Sequence, residues 1–295
     1  MAKLYVNAYD PPDGITAQQL VDVGVAGIRF DALGPPERLA ASVEAGKALQ
    51  RVNLRPLFLL DADDPLAFLD GLQEFARMLD LARFKGHFAF QLGNEPDLKA
   101  HQGWRNPQGA AAATTSAYMK LRGILGGAPI IVTAPPSNMT PKALEWGKAY
   151  IRWLPQQLAD DKNVRVGWHR YPPGLDPTEG HKGHPDRITE LAKWTMIVGN
   201  PRKVWITETG LSQGPHRRRF PLCWLKTWLT EDQVAERLAH ELQLWANMGV
   251  EVVTLYQLRD SADHRSREHF GLRRADGTWK ALYPQLPFIT RRMNR

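Results

Sequence analysis

Short apolar runs recur along the chain, each followed by a polar or Gly/Pro-rich turn and then a stretch of helical periodicity. Eight of these runs predict strands: Lys3–Asn7, Gly27–Asp31, Arg55–Asp61, His87–Gly93, Pro129–Thr133, Val164–Tyr171, Lys203–Glu208 and Glu251–Gln257. The segments Leu57-Phe58-Leu59-Leu60 and Ile130-Ile131-Val132 are continuous rather than alternating. Strands apolar on both faces belong in parallel sheets covered by helices. Helical stretches fill the intervals. Gln18–Val23 follows Thr16, a predicted N-cap, and Pro36–Gln50 opens with proline and an acid. Pro65–Leu81 follows Asp63-Asp64 and repeats Phe68, Leu72, Phe75 and Leu79 at helical spacing, while Ala110–Leu125 stops at Gly126-Gly127. Pro141–Leu158, Asp186–Ile197 and Glu231–Met248 complete the set.

Strands alternating with helices, with no linker or low-complexity stretch between them, predict the α/β class and one (β/α)8 TIM barrel over residues 1–295. The competitor, an open doubly wound sheet with a dinucleotide, lacks its Gly-x-Gly-x-x-Gly after the first strand. A length of 295 residues suits the barrel, which takes about 250 as a single domain.

Composition changes this picture little. Apolar residues make up 43% of the chain and charged ones 23%, as in soluble enzymes. The single cysteine, Cys223, lies in the apolar run Pro221–Leu225 and reads as a buried thiol. No run approaches the roughly 18 apolar residues of a membrane span. The start, Met1 to Asn7, lacks the apolar region of a secretion signal, so cytosolic residence and export with the leader missing both stay open. The net charge of +7 is spread over short clusters, His216–Arg219, Arg273-Arg274 and Arg291-Arg292. That scatter predicts a solvated basic surface rather than a nucleic-acid site, although an anionic polysaccharide would also suit it. No cofactor motif is present, and nothing in the pattern specifies an oligomeric state.

Candidate chemistry gathers where a barrel needs it, at the C-terminal strand ends. Strand two ends Arg29-Phe30-Asp31, strand three in Asp61, and strand four in Asn94-Glu95-Pro96-Asp97. Strand six ends Trp168-His169-Arg170-Tyr171, strand seven Thr207-Glu208-Thr209, and strand eight Tyr256-Gln257. Two glutamates on strands four and seven can face each other across the mouth. Glycoside hydrolysis needs such a pair, one acid to protonate the leaving oxygen and one carboxylate to attack the sugar or activate water.

The segments Gln91-Leu92-Gly93-Asn94-Glu95-Pro96-Asp97 and Val204-Trp205-Ile206-Thr207-Glu208-Thr209-Gly210 resemble the two signature segments of glycoside hydrolase clan A. Gly27-Ile28-Arg29, His169-x-Tyr171 and the tail from Phe270 to Tyr283 resemble further marks of that clan, so the likeness spans nearly the whole chain. Compact size and Asn-Glu-Pro-Asp bring it nearest to families 39 and 128. The resemblance implies a retaining β-glycosidase with Glu95 as acid/base and Glu208 as nucleophile. It also implies that Arg29 and Tyr171 support the nucleophile, Asn94 binds the sugar 2-hydroxyl, and His169 orients the network or meets the sugar. The substrate would be an oligo- or polysaccharide cleaved at β-linkages by endo action, with no metal or cofactor.

Each residue also has a purely structural reading. Arg29 would pair with Asp31 or Asp61, His169 would be a satisfied core histidine, and Tyr171 would pack the rim. Tyr256 stands where clan members commonly carry a tryptophan under the sugar. Trp104 and Trp168 are expected either as sugar platforms or as core, and the same choice applies to Phe220, Trp224 and Trp228 in the long 213–230 loop. Two rival classes remain. One is a divalent-metal barrel using Asp31, Asp61, Glu95, His169, Glu208 and Asp260; the other is a non-catalytic carbohydrate-binding barrel.

Overall fold

The computed structural model describes residues 2–62, 64–84, 87–98, 102–126, 129–133, 135, 141–171, 203–211, 216–220, 223–227, 229–260 and 270–294. Eight strands close into a barrel: β1 (Lys3–Asn7), β2 (Gly27–Asp31), β3 (Arg55–Leu60), β4 (Ala89–Leu92), β5 (Ile130–Val132), β6 (Val164–His169), β7 (Val204–Thr209) and β10 (Val252–Leu255). Their order around the ring is β1-β10-β7-β6-β5-β4-β3-β2, and every pairing is parallel. A separate antiparallel hairpin joins β8 (His216–Phe220) to β9 (Cys223–Thr227).

The helices among the described residues are α1 (Gly14–Asp22), α2 (Pro36–Arg51), α3 (Pro65–Leu81), α4 (Gln102–Arg105), α5 (Pro107–Leu125), α6 (Pro141–Trp153), α7 (Gln156–Asp160), α8 (Glu231–Asn247) and α9 (Leu286–Met293). Their starts follow local chemistry. Asp64 accepts from the amides of Leu66 and Ala67 at the head of α3, and Thr230 and Gln233 form a reciprocal capping box on α8.

Three sequence expectations shift. The first helix begins at Gly14, because Asp13 rather than Thr16 caps it; the Asp13 carboxylate takes the Thr16 amide at 2.7 Å. The predicted helix 141–158 breaks after Trp153 into α6 and α7, since Pro155 has no N–H to continue the ladder. The stretch expected as a long loop contains the β8–β9 hairpin. The helix expected over 186–197 lies outside the described residues, as do the side chains of Phe220, Cys223, Trp224 and Trp228.

Strand alternation sorts the core into two compartments. Tyr5, Leu57, Ala89, Val132, Trp205 and Val252 fill the barrel interior, and Tyr5 meets Trp205 edge-on at 5.9 Å. Gly27 makes this possible, because a Cβ there would stand 2.6 Å from the Tyr5 ring and from the Arg55 carbonyl. The opposite faces of the strands, including Phe30, Phe58, Phe90 and Trp168, pack under the helices in one continuous outer core. Two of the basic clusters are tied into the structure. Arg274 binds both carboxylate oxygens of Glu231 at 2.7 Å, and Arg292 lies over the Phe288 ring. No helix among the described residues is long and apolar enough to cross a membrane.

Candidate active site

The site is built on β1, β2, β4, β6 and β7, at their C-terminal ends. Arg29 is its hub, 1% exposed at the end of β2. The guanidinium donates to Gln91 Oε1 at 2.7 Å, Asn7 Oδ1 at 2.6 Å and Asn94 Oδ1 at 2.8 Å, and forms a 2.8 Å ion pair with Glu208 Oε1. A planar fork of five donors suits this task, as an ammonium would not. The structure thus pairs Arg29 with Glu208 and not with Asp31 or Asp61. Asp31 instead lies 3.7 Å from exposed Arg38, and Asp61 accepts the Asn94 amide at 3.1 Å.

Glu208 sits where the ladder slips. Trp168 pairs with Ile206, but His169 pairs with Glu208, so one extra residue of β7 is accommodated at that point. Such an irregularity re-aims the side chains beyond it. It brings Glu208 beside His169. Tyr171, just past β6, donates its hydroxyl to Glu208 Oε2 at 2.6 Å. Burial alone pushes the Glu208 carboxyl up, but the facing His169 ring, the Arg29 guanidinium and the Tyr171 hydroxyl together hold it below the ordinary carboxylate range. Burial, reinforced by Glu208, raises the Tyr171 phenol well above its usual value, so it remains a donor.

Glu95 follows β4 through a turn that needs special backbone. Gly93 has φ 80° and Glu95 itself φ 44°, in the left-handed region that costs a side-chain-bearing residue about 1–3 kcal/mol. The turn is held from both sides: the Glu95 amide donates to Pro135 O at 3.1 Å, and its carbonyl accepts the Leu98 amide at 2.9 Å. Strain of this kind gathers at functional sites. The Glu95 side chain remains 27% exposed against 9% for Glu208, so it is the carboxyl that solvent reaches.

One imidazole joins the two acids. His169 Nδ1 lies 3.0 Å from Glu95 Oε1 and 3.6 Å from Glu208 Oε2, which limits the separation of those oxygens to about 6.6 Å. His169 is fully buried, and its Nε2 has no hydrogen-bond partner among the described residues. Asn94 Oδ1 is occupied by Arg29 and by Gln91 at 3.2 Å, which leaves the amide N–H groups of Asn94 to donate elsewhere.

Of the residues singled out by sequence, Arg29, Asn94, Glu95, His169, Tyr171 and Glu208 meet in this one constellation. Tyr256 adjoins it, its ring 6.1 Å from Tyr171 and 5.7 Å from Phe270. Trp168 and Trp104 do not belong to it. Trp168 is fully buried and packs edge-on against Trp245 of α8, on the helix-facing side of β6. Trp104 is 1% exposed against Phe68. Both are core residues, and a sugar has no access to either ring. Asn7 and Gln91 were missed by the sequence reading, although each is a polar residue within an apolar strand. Among the described residues, no group of three or more His, Cys, Asp or Glu side chains is placed to hold a metal ion.

The charge state of Glu208 carries a pH signature. A carboxyl held below its unfolded value contributes stability that is present above the ordinary carboxylate pKa and lost as pH falls through the folded one. The stability gap between wild type and Glu208→Gln is therefore expected to narrow as pH drops from about 5 toward about 2. Urea unfolding at stepped pH measures it, and a gap that stays constant across that range contradicts the assigned charge state.

No family model matches the sequence. No curated protein matches it either. Solved structures do share its fold. A family 39 glycoside hydrolase from Bacteroides cellulosilyticus WH2 superposes with a TM-score of 0.66 at 17% identity, over 98% of this chain and 63% of that one. This chain therefore spans less than two thirds of that enzyme. Thermotoga maritima Cel5A in complex with mannotriose gives 0.64 at 13% identity, covering 98% and 96%. A Rhizomucor miehei β-1,3-glucanosyltransferase mutant in complex with laminaritriose gives 0.61 at 14%, covering 95% and 96%. The fold is the TIM barrel that these carbohydrate-active enzymes share.

Proposed function

We propose that this chain is a retaining glycoside hydrolase, endo-acting on a β-linked oligo- or polysaccharide, with Glu208 as nucleophile and Glu95 as acid/base. The observation that carries this reading is the single imidazole nitrogen in reach of both carboxyls. It holds the facing oxygens within about 6.6 Å, which favours the close pairing of about 5–5.5 Å in retaining enzymes, where no water fits between the second carboxylate and the sugar carbon, over nearly all of the wider inverting range. In the first step Glu208 attacks the anomeric carbon while Glu95 gives its proton to the departing oxygen. In the second, Glu95 takes a proton from water, the water oxygen bonds to the anomeric carbon, and the Glu208 ester is released. Asn94, its carbonyl held by Arg29 and Gln91, donates to the sugar 2-hydroxyl. The oligosaccharides in the names of the structural neighbours support a sugar substrate.

The metal-dependent reading fares worse on charge. A divalent cation at Glu208 would stand against the Arg29 guanidinium, already 2.8 Å from one carboxylate oxygen. The test of the proposal is a panel of β-linked polysaccharides, with product sizing and proton NMR of the first-formed reducing ends. The β-anomer is expected before mutarotation; an initial α-anomer overturns retention.

A further inference from the structure

At the end of the barrel opposite the candidate active site lies a cavity of about 410 Å³. It opens where β1, β2 and β3 begin, and Lys3, Tyr5, Gln50, Asn53, Arg55 and His87 are among its lining residues. Lys3 and Asn7 are the two ends of β1, which separates the cavity from the Arg29 network by about 13 Å along the strand. Its size falls within the range of small-molecule sites.

The lining is one-sided in charge. Lys3 and Arg55 supply two cations, and among the described residues no acidic side chain lines the cavity. Neither cation forms an ion pair among the described residues. The Glu251 carboxylate, whose field reaches Lys3, is taken up on Oε2 by Arg165 at 2.6 Å and by the Trp205 indole at 3.0 Å. Burial and the field of Arg55 hold the Lys3 ammonium below its ordinary value, and Glu251 offsets them only in part. Backbone carbonyls do not supply the missing negative charge. The helix α2 ends beside the cavity, but its Leu49 and Gln50 carbonyls accept the amides of Leu54 and Asn53 at 2.9 and 3.0 Å. Two like charges facing one opening favour an anion there.

The floor of the cavity gives an independent sign. Tyr5 is fully buried, held edge-on to Trp205, and its hydroxyl makes no hydrogen bond of ordinary geometry among the described residues. Buried polar groups in native proteins are nearly always partnered, so an orphaned one points to a ligand or a water. Burial raises this phenol well above its usual value, against the opposing pull of Arg55, so it is a donor. Gln50, Asn53 and the His87 ring add neutral donors, and Gln50 Nε2 lies 3.5 Å from the His87 carbonyl. A guanidinium fork, a point-charge ammonium and a directional O–H together suit a tetrahedral oxyanion.

We propose that this cavity binds a phosphoryl dianion, with Arg55 and Lys3 as its counter-charges and the Tyr5 hydroxyl as a donor at its floor. A phosphoryl group carries about two negative charges at neutral pH and so matches two uncompensated cations, where a carboxylate matches one. A free phosphate ion and a phosphate monoester share this chemistry. The probes are therefore inorganic phosphate and a hexose monophosphate, titrated calorimetrically into the whole chain at fixed ionic strength, with thermal melts in the same buffers. Wild type is expected to bind inorganic phosphate with a Kd below about 1 mM and to melt higher as phosphate replaces chloride. Arg55→Met and Lys3→Met are each expected to weaken binding about tenfold or more. Tyr5→Phe, which keeps the ring in the core, is expected to weaken it about three- to tenfold. Exposed Arg38 at the start of α2, by the opposite end of the barrel, is the control, and Arg38→Met is expected to leave the affinity unchanged. Tighter binding of the monophosphate assigns a phosphorylated sugar, and weaker binding assigns the free ion; either supports the site. No heat and no rise in melting temperature up to roughly 10 mM phosphate overturns it. An affinity unchanged in both Arg55→Met and Tyr5→Phe overturns it as well. The readout is binding, so none of these outcomes depends on the glycosidase reading.

Discussion

Glu208→Gln is expected to lose turnover by about 10⁴- to 10⁶-fold, the scale on which enzymes lose their covalent nucleophile. The reason lies in the electrons rather than the shape. Glutamine fills the same volume and can still accept from Arg29 and Tyr171, but its amide oxygen is a poor nucleophile and forms no stable glycosyl ester. Sugar binding is expected to survive, because Asn94 and the open mouth are untouched. The measurement is kcat on the best polysaccharide of the panel, paired with equilibrium binding of the same chain. A variant that keeps more than about a tenth of wild-type kcat removes Glu208 from the nucleophile role. A wild type that binds sugar but never turns over supports the non-catalytic barrel instead.

How much of this was readable beforehand follows from where information sits in a barrel. The parallel strands announce themselves because both their faces are covered, one by the barrel interior and one by helices, which forces continuous apolar runs. All eight predicted strands overlap barrel strands, and β1 and β2 agree at both ends. The hairpin stayed hidden because the sequence between its strands lacks the Asn-Gly or Asp-Gly that marks a tight turn, and β8 carries three consecutive arginines. At the site, Glu95 and Glu208 stand out because strand ends carry compact local signatures. Asn7 and Gln91 do not, since their importance appears only when distant strands come together around Arg29.

Trp168 was legible after all. Val164, Val166 and Trp168 share one face of β6, and the outer core contains all three, whereas His169 falls on the other face. Alternation along six residues therefore assigns the tryptophan to the helices and the histidine to the mouth. The position of Glu208 is the opposite case. Simple alternation from inward-facing Trp205 would send Thr207 and Thr209 inward, and only the slipped register beside Trp168 puts the glutamate across from His169. A register shift has no mark in the sequence, so alternation alone does not predict that His169 and Glu208 stand opposite each other.

Arg29→Met is expected to cost about 3–5 kcal/mol of stability, the scale for removing one partner of a buried ion pair. Methionine keeps most of the volume, so the loss is electrostatic: Glu208 stays buried without its cation, and Asn7, Gln91 and Asn94 each lose a donor. The same change withdraws one of the groups that hold the Glu208 carboxyl low, leaving burial to push it up. The acid limb of the kcat/KM profile, where the nucleophile must be ionised, is then expected to move to higher pH. Stability and chemistry are thus coupled through one guanidinium, and a double-mutant cycle separates them. In the Glu208→Gln background, Arg29→Met should cost measurably less than in wild type, because no buried carboxylate is left uncompensated. Arg29→Lys should recover part of the stability through its charge, but little of the activity, since an ammonium cannot hold four acceptors in one plane. If Arg29→Met melts within about half a kcal/mol of wild type and its acid limb does not move, the arginine is not what keeps the nucleophile charged.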